Sequence, residues 1–120
     1  RAMKPGETFE YELEFPDTGV FWYHPHLRED YTQEMGLYGN YWVDEPEYWS
    51  DVDREEFIVV DDFSENDPFY KEVTNKTMMG RYGNLLMINN DVDYNLQVRN
   101  GETVRFFMTN TANTRVFDVE

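Results

Sequence analysis

Cysteine is absent from the sequence, which excludes disulfides, cysteine-bound zinc, thiol nucleophiles and a cysteine-ligated copper within the chain. Histidine occurs only twice, at His24 and His26. Basic residues are scarce: 10 Lys and Arg stand against 25 Asp and Glu, for a formal charge of −15. A surface this negative repels phosphate backbones and anionic lipid, so neither nucleic-acid nor membrane binding is expected. No apolar run approaches membrane-spanning length, no signal peptide is visible and no stretch shows a long helical period. The sequence starts at Arg1 directly ahead of a strand-like segment, which is what a fragment or a mature product would show.

What is present is material for a packed core, with 40% hydrophobic and 18% aromatic residues. At 120 residues the chain suits one small domain or pieces of two. In residues 8–15, Phe9, Tyr11, Leu13 and Phe15 alternate with Thr8, Glu10, Glu12 and Glu14, the period of a half-buried strand. Pro16, Asp17 and Gly19 supply turn chemistry before the β-forming run 20–24, so 8–24 reads as a hairpin. Residues 27–37 are polar, with room for a single helical turn. A Gly-bracketed strand follows and stops at Pro46, then an acidic linker, then the apolar run 57–63, suited to a strand buried on both faces.

Residues 64–82 are a long polar excursion; 85–88 read as a strand and 89–91 as a turn. The runs 94–98 and 103–109 pair naturally across Asn100-Gly101, a type I′ hairpin signal, and 115–119 is a last strand. The class is all-β, a Greek-key β-sandwich or barrel. Gly-Glu-Thr recurs at residues 6–8 and 101–103, each time as a turn feeding an alternating strand. The echo admits chance or two copies of one β-domain.

The histidines sit at i and i+2 on a strand end, on the same side and about 6–7 Å apart at Cα. Pro25 between them fixes one backbone angle and removes one donor. Imidazole is a common ligand for copper, zinc, iron and nickel. By themselves the two rings admit two readings, metal ligands or ordinary strand-edge histidines.

The context of the dyad is specific. Gly19, Phe21, Trp22, Tyr23, His24, His26, Gln33, Gly36, Leu37, Tyr38 and Gly39 together resemble the second copper-binding motif of the multicopper oxidases, laccases and their bacterial and archaeal relatives. Residues 54–63 and 83–119 resemble the opening of that family's second cupredoxin domain, more weakly. The resemblance implies an incomplete cupredoxin-type fold. Residues 1–46 would be the C-terminal part of a first domain, 47–56 an acidic linker and 57–120 the N-terminal part of a second. It further implies that His24 and His26 each serve one of the two type 3 coppers of a trinuclear cluster. Such a laccase-like enzyme couples one-electron oxidation of a small-molecule or metal-ion donor to reduction of dioxygen to water.

The other motifs that the resemblance calls for, a His-x-His-Gly and later His motifs for the rest of the cluster and a Cys for the type 1 copper, are absent here. The expected partners are therefore the remaining cupredoxin segments of one larger protein, and the isolated chain is expected to be inactive. An extracellular or periplasmic setting fits the family. Two alternatives from other classes are a copper-free cupredoxin-like structural or binding module and, less closely, a copper nitrite reductase. Met78-Met79 and the acidic run from Asp62 carry simpler readings as core or gap filler and a solvated loop, and the Asn75–Thr77 glycosylation pattern matters only in a secretory system that uses it.

Overall fold

The structure, a computed structural model, describes residues 3–65 and 79–120. The elements follow in the order β1 (Gly19–Tyr23), α1 (Glu29–Thr32), β2 (Gly39–Val43), β3 (Arg54–Phe63), β4 (Leu85–Ile88) and β5 (Val104–Asn110). The expected all-β class is what the chain adopts, with α1 a single helical turn.

Strands β1 and β2 form an antiparallel ribbon with Gly19 opposite Val43 and Tyr23 opposite Gly39. A side chain at Gly39 would not fit, because its Cβ would stand 2.5 Å from the Tyr23 hydroxyl. The expected hairpin partner, residues 8–15, is not a strand. Its alternating face has no strand against it among the described residues, and Phe9, Tyr11 and Leu13 remain more than half exposed.

The second sheet has the order β4-β3-β5. Here β4 pairs antiparallel with β3, whereas β5 runs parallel to it, with Arg54 opposite Val104 and Val60 opposite Asn110. The parallel ladder replaces the hairpin expected between 94–98 and 103–109, and residues 94–98 are not a strand. The turn chemistry explains the difference. Between Arg99 and Glu102 only Gly101 has positive φ, at 84°, so the turn is type II and does not carry the twist of a two-residue hairpin.

The type I′ geometry lies instead at Asn89 and Asn90, with φ of 53° and 64°, closing on reciprocal Ile88–Asp91 bonds of 2.9 Å. Residues 115–119 are likewise not a strand. Arg115 there bonds the Asp62 carboxylate at 2.7 Å and the Gly83 carbonyl at 3.0 Å. Met78 and the Asn75–Thr77 pattern lie outside the described residues.

Strand β3 buries one face rather than two: Ile58, Val60 and Asp62 are buried while Phe57 is not. Phe57 instead stacks on Phe107 of β5 at 5.0 Å. Trp42 of β2 stands edge-on to Phe57 at 5.2 Å, and Trp49 edge-on to Phe107 at 5.3 Å. Contacts of this kind are worth about 0.5–1.5 kcal/mol each beyond area burial. They fasten the ribbon to the three-stranded sheet and fix the position of the β1–β2 connection.

Candidate metal centre

Both histidines lie in that connection, just past the end of β1. Their rings stack with centroids 4.9 Å apart and planes within 19°. Trp22, the last but one residue of β1, stacks on the outer face of His24 at 4.5 Å. The i, i+2 spacing thus does bring the two imidazoles to one side, as the sequence implies. Tyr23, on the opposite face, packs on Tyr41.

Each ring is gripped on the same nitrogen. His26 Nδ1 lies 3.1 Å from the Glu29 carboxylate, and His24 Nδ1 lies 3.1 Å from the Pro25 carbonyl and 2.9 Å from the Gln33 amide. The Glu29 carboxylate only accepts, so His26 Nδ1 carries hydrogen in that bond, whereas His24 Nδ1 faces both an acceptor, the Pro25 carbonyl, and a donor, Gln33 Nε2. In a neutral imidazole, hydrogen on Nδ1 leaves Nε2 with its lone pair. Neither Nε2 has a hydrogen-bond partner among the described residues. The donor set is therefore two imidazole nitrogens, a chemistry that suits copper. Among the described residues, no three His, Asp or Glu side chains gather to hold a metal ion.

Helical turn α1 presents Glu29 and Gln33 to the rings, and its seating is unusual. Arg28, its N-cap, adopts a left-handed conformation at φ 51°, which costs a non-glycine residue about 1–2 kcal/mol. A bidentate pair from Arg28 Nε and Nη2 to the Asp30 carboxylate, 2.9 Å each, offsets that cost. The hydrogen bond and charge of Asp30 also raise the Arg28 guanidinium further above its ordinary value. Asp30 is buried, and its carbonyl accepts from Asn113 Nδ2 at 3.3 Å.

Further on, Glu34 and Arg81 form an ion pair of 2.6 Å with both side chains buried, and Glu34 accepts from Ser64 N at 3.1 Å. Tyr38 donates to Asp61 at 3.0 Å, and burial pushes both the phenol and the carboxyl upward from their ordinary values. These contacts tie the connection to β3 and to residues 79–84. A cavity of about 530 Å³ opens beside His24, lined by Trp22 and Gln33 and, from the later sequence, by Asn110 and Asn113.

Sequence reasoning alone found the two histidines but not their partners. Glu29 and Asp30 have no spacing that marks them, and Gln33 is nine residues from the ring it touches. An available signal was Glu29 with Gln33 at i, i+4, which places both on one side of a helical turn.

Comparison with known proteins adds a family to this geometry. The multicopper oxidase family matches residues 1–48. The iron transport multicopper oxidase FET5 of Saccharomyces cerevisiae is 32% identical over 116 residues, which cover 88% of this chain and 18% of that protein. Multicopper oxidase MmcO of Mycobacterium tuberculosis is 36% identical over 61 residues, 51% of this chain and 12% of that protein. The chain thus spans less than a fifth of the length of either relative. The β architecture is that of part of a cupredoxin-type sandwich, copper is the metal the relationship implies, and the chain belongs to the multicopper oxidase family.

Proposed function

We propose that this chain is the part of a multicopper oxidase that supplies His24 and His26 to a type 3 copper pair within a trinuclear cluster. The observation that carries the reading is the stacked pair of imidazoles, each with an acceptor oxygen beside Nδ1 and each with an Nε2 that has no hydrogen-bond partner among the described residues. The chemistry that bound copper supplies is one-electron transfer and the reduction of dioxygen to water. What this chain contributes is orientation: a strand end, a proline and a tryptophan face hold two soft-enough nitrogens side by side.

The remaining ligands and the site that takes electrons from the donor belong to further cupredoxin segments of the same protein. The uncovered faces of Phe9, Tyr11 and Leu13 support a packing partner there. The donor is a small molecule or a metal ion, and a charge of −15 favours the approach of cations. The iron-transport name of one relative agrees with a metal-ion donor. The setting is extracellular or periplasmic, and no helix among the described residues is long and apolar enough to cross a membrane.

The test is the double variant His24→Ala, His26→Ala in the full-length protein. Copper stoichiometry and oxygen consumption should both collapse. Full copper content with undiminished oxygen consumption would sink the ligand assignment.

A further inference from the structure

We propose that α1 acts as a tautomer clamp on the two histidines, with Gln33 the positioning residue that keeps His24 able to bind metal. This rests on the ligand role proposed above for His24 and His26.

His24 Nδ1 sits between two groups, the Pro25 carbonyl at 3.1 Å and Gln33 Nε2 at 2.9 Å. An amide can turn either end toward the ring. With Gln33 Nε2 toward the ring, as the side chain is placed here, Gln33 donates to Nδ1, the ring hydrogen resides on the imidazole Nε2, and the lone pair needed for a metal is blocked. That orientation also sets the bare Nδ1 against the Pro25 carbonyl, acceptor against acceptor. Turned half a revolution, Gln33 offers Oε1, Nδ1–H donates toward both oxygens, and Nε2 is free. The Pro25 carbonyl cannot donate, so it favours the second arrangement, and Gln33 completes it.

Glu29 does the same for His26, with a carboxylate that can only accept. The two partners are four residues apart, so one turn of helix delivers both to the neighbouring rings. The Arg28–Asp30 pair and the Asn113 bond hold that turn in place. Partners of this kind fix ring orientation and tautomer in metal sites, and their loss costs about 10–100-fold in metal affinity.

The experiment compares Gln33→Leu and Gln33→Glu in the full-length protein, with copper affinity measured against a competing chelator. Leu removes the acceptor at similar size; Glu can only accept. We expect Gln33→Leu to bind copper about 10–100-fold more weakly and Gln33→Glu to recover most of that loss. A second reading comes from the copper-free protein with ¹⁵N-labelled histidine, where the His24 ring should show hydrogen on Nδ1 in the native protein and in Gln33→Glu, and a tautomer mixture in Gln33→Leu.

Equal weakening by Leu and Glu would mean that Gln33 only fills space, and would overturn the clamp. So would an unchanged affinity and ring spectrum in Gln33→Leu while His24→Ala, His26→Ala abolishes binding. If the double histidine variant itself keeps its copper, the ligand role fails first and the clamp with it.

Discussion

Asp61 shows how a single buried carboxylate can make stability depend on pH. Burial raises its folded-state value, with the neighbouring Asp62 charge acting in the same direction, while hydrogen bonds from Thr111, the Asp62 backbone and Tyr38 oppose it. A raised value means that the folded protein holds this proton more tightly than the unfolded chain does. The associated stability is complete below the ordinary aspartate range and is lost as pH rises through the raised value. Asn in its place has no charge to bury. Asp61→Asn should therefore cost less stability at about pH 7 than at about pH 4, near the ordinary aspartate range, where more of the stability tied to the Asp61 proton is present. Thermal unfolding of both proteins at the two pH values checks this; a larger cost at the higher pH would contradict it. His24 and His26 illustrate another lesson at this scale. Their type and spacing are legible in the sequence, whereas the nitrogen each one offers depends on partners that only the fold provides.

Among the elements, the β4 turn is the clearest case of side chains finishing a ladder. Asn89 occupies the first left-handed position of the type I′ turn. Its Oδ1 accepts from Val59 N at 2.8 Å and its Nδ2 donates to Phe57 O at 3.1 Å, so the side chain bonds the backbone of β3 like another strand residue. Asn89→Ala loses both bonds and places alanine at positive φ. The expected cost is about 2–4 kcal/mol in denaturant unfolding. A loss below about 1 kcal/mol would show that these bonds count for little.

The repeated Gly-Glu-Thr also belongs to this level. Gly6 and Gly101 share a φ of 84°, and Glu7 and Glu102 close equivalent turns onto Lys4 and Arg99 at 3.0 and 3.1 Å. In each, the glutamate carboxylate accepts from the backbone N–H of the turn's first residue. The two copies then diverge. Residues 104–110 find β3 beside them and become β5, while 8–15 find no such neighbour among the described residues. Local sequence sets the turn, but a strand exists only when another strand takes up its hydrogen bonds.

At the level of the whole molecule, the radius of gyration is 17.4 Å, against about 14 Å for a compact domain of this length. The buried apolar residues among those described are Ile58, Val60 and Phe107, while many large apolar side chains stay exposed. With so small an apolar core, polar cross-links carry much of the coupling between the site and the later strands. The Glu34–Arg81 pair is the most buried of them. Arg81→Met leaves the Glu34 carboxylate buried without its cation, and should cost about 3–5 kcal/mol. Adding Glu34→Gln, which keeps an acceptor for Ser64 N, should restore most of that. Urea unfolding of the three proteins decides the matter, and additive losses in the double variant would refute the coupling.

Much of this protein is already determined by its sequence. The all-β class, the approximate positions of β1 to β5 and the turn at 89–91 follow from β-forming and apolar runs, turn residues and the lack of helical periodicity, whereas the clearest period-two run, 8–15, is not a strand. The histidine pair and its family resemblance follow from a short contiguous motif. Tertiary structure alone decided that β1 pairs with β2, that β5 lies parallel to β3, and that Glu29 and Gln33 face the imidazoles. The reason is physical. Side-chain alternation and turn preference are local and can be read over a few residues. The choice of neighbour depends on which distant surfaces bury best together, as when Trp42 of β2 meets Phe57 and Phe107.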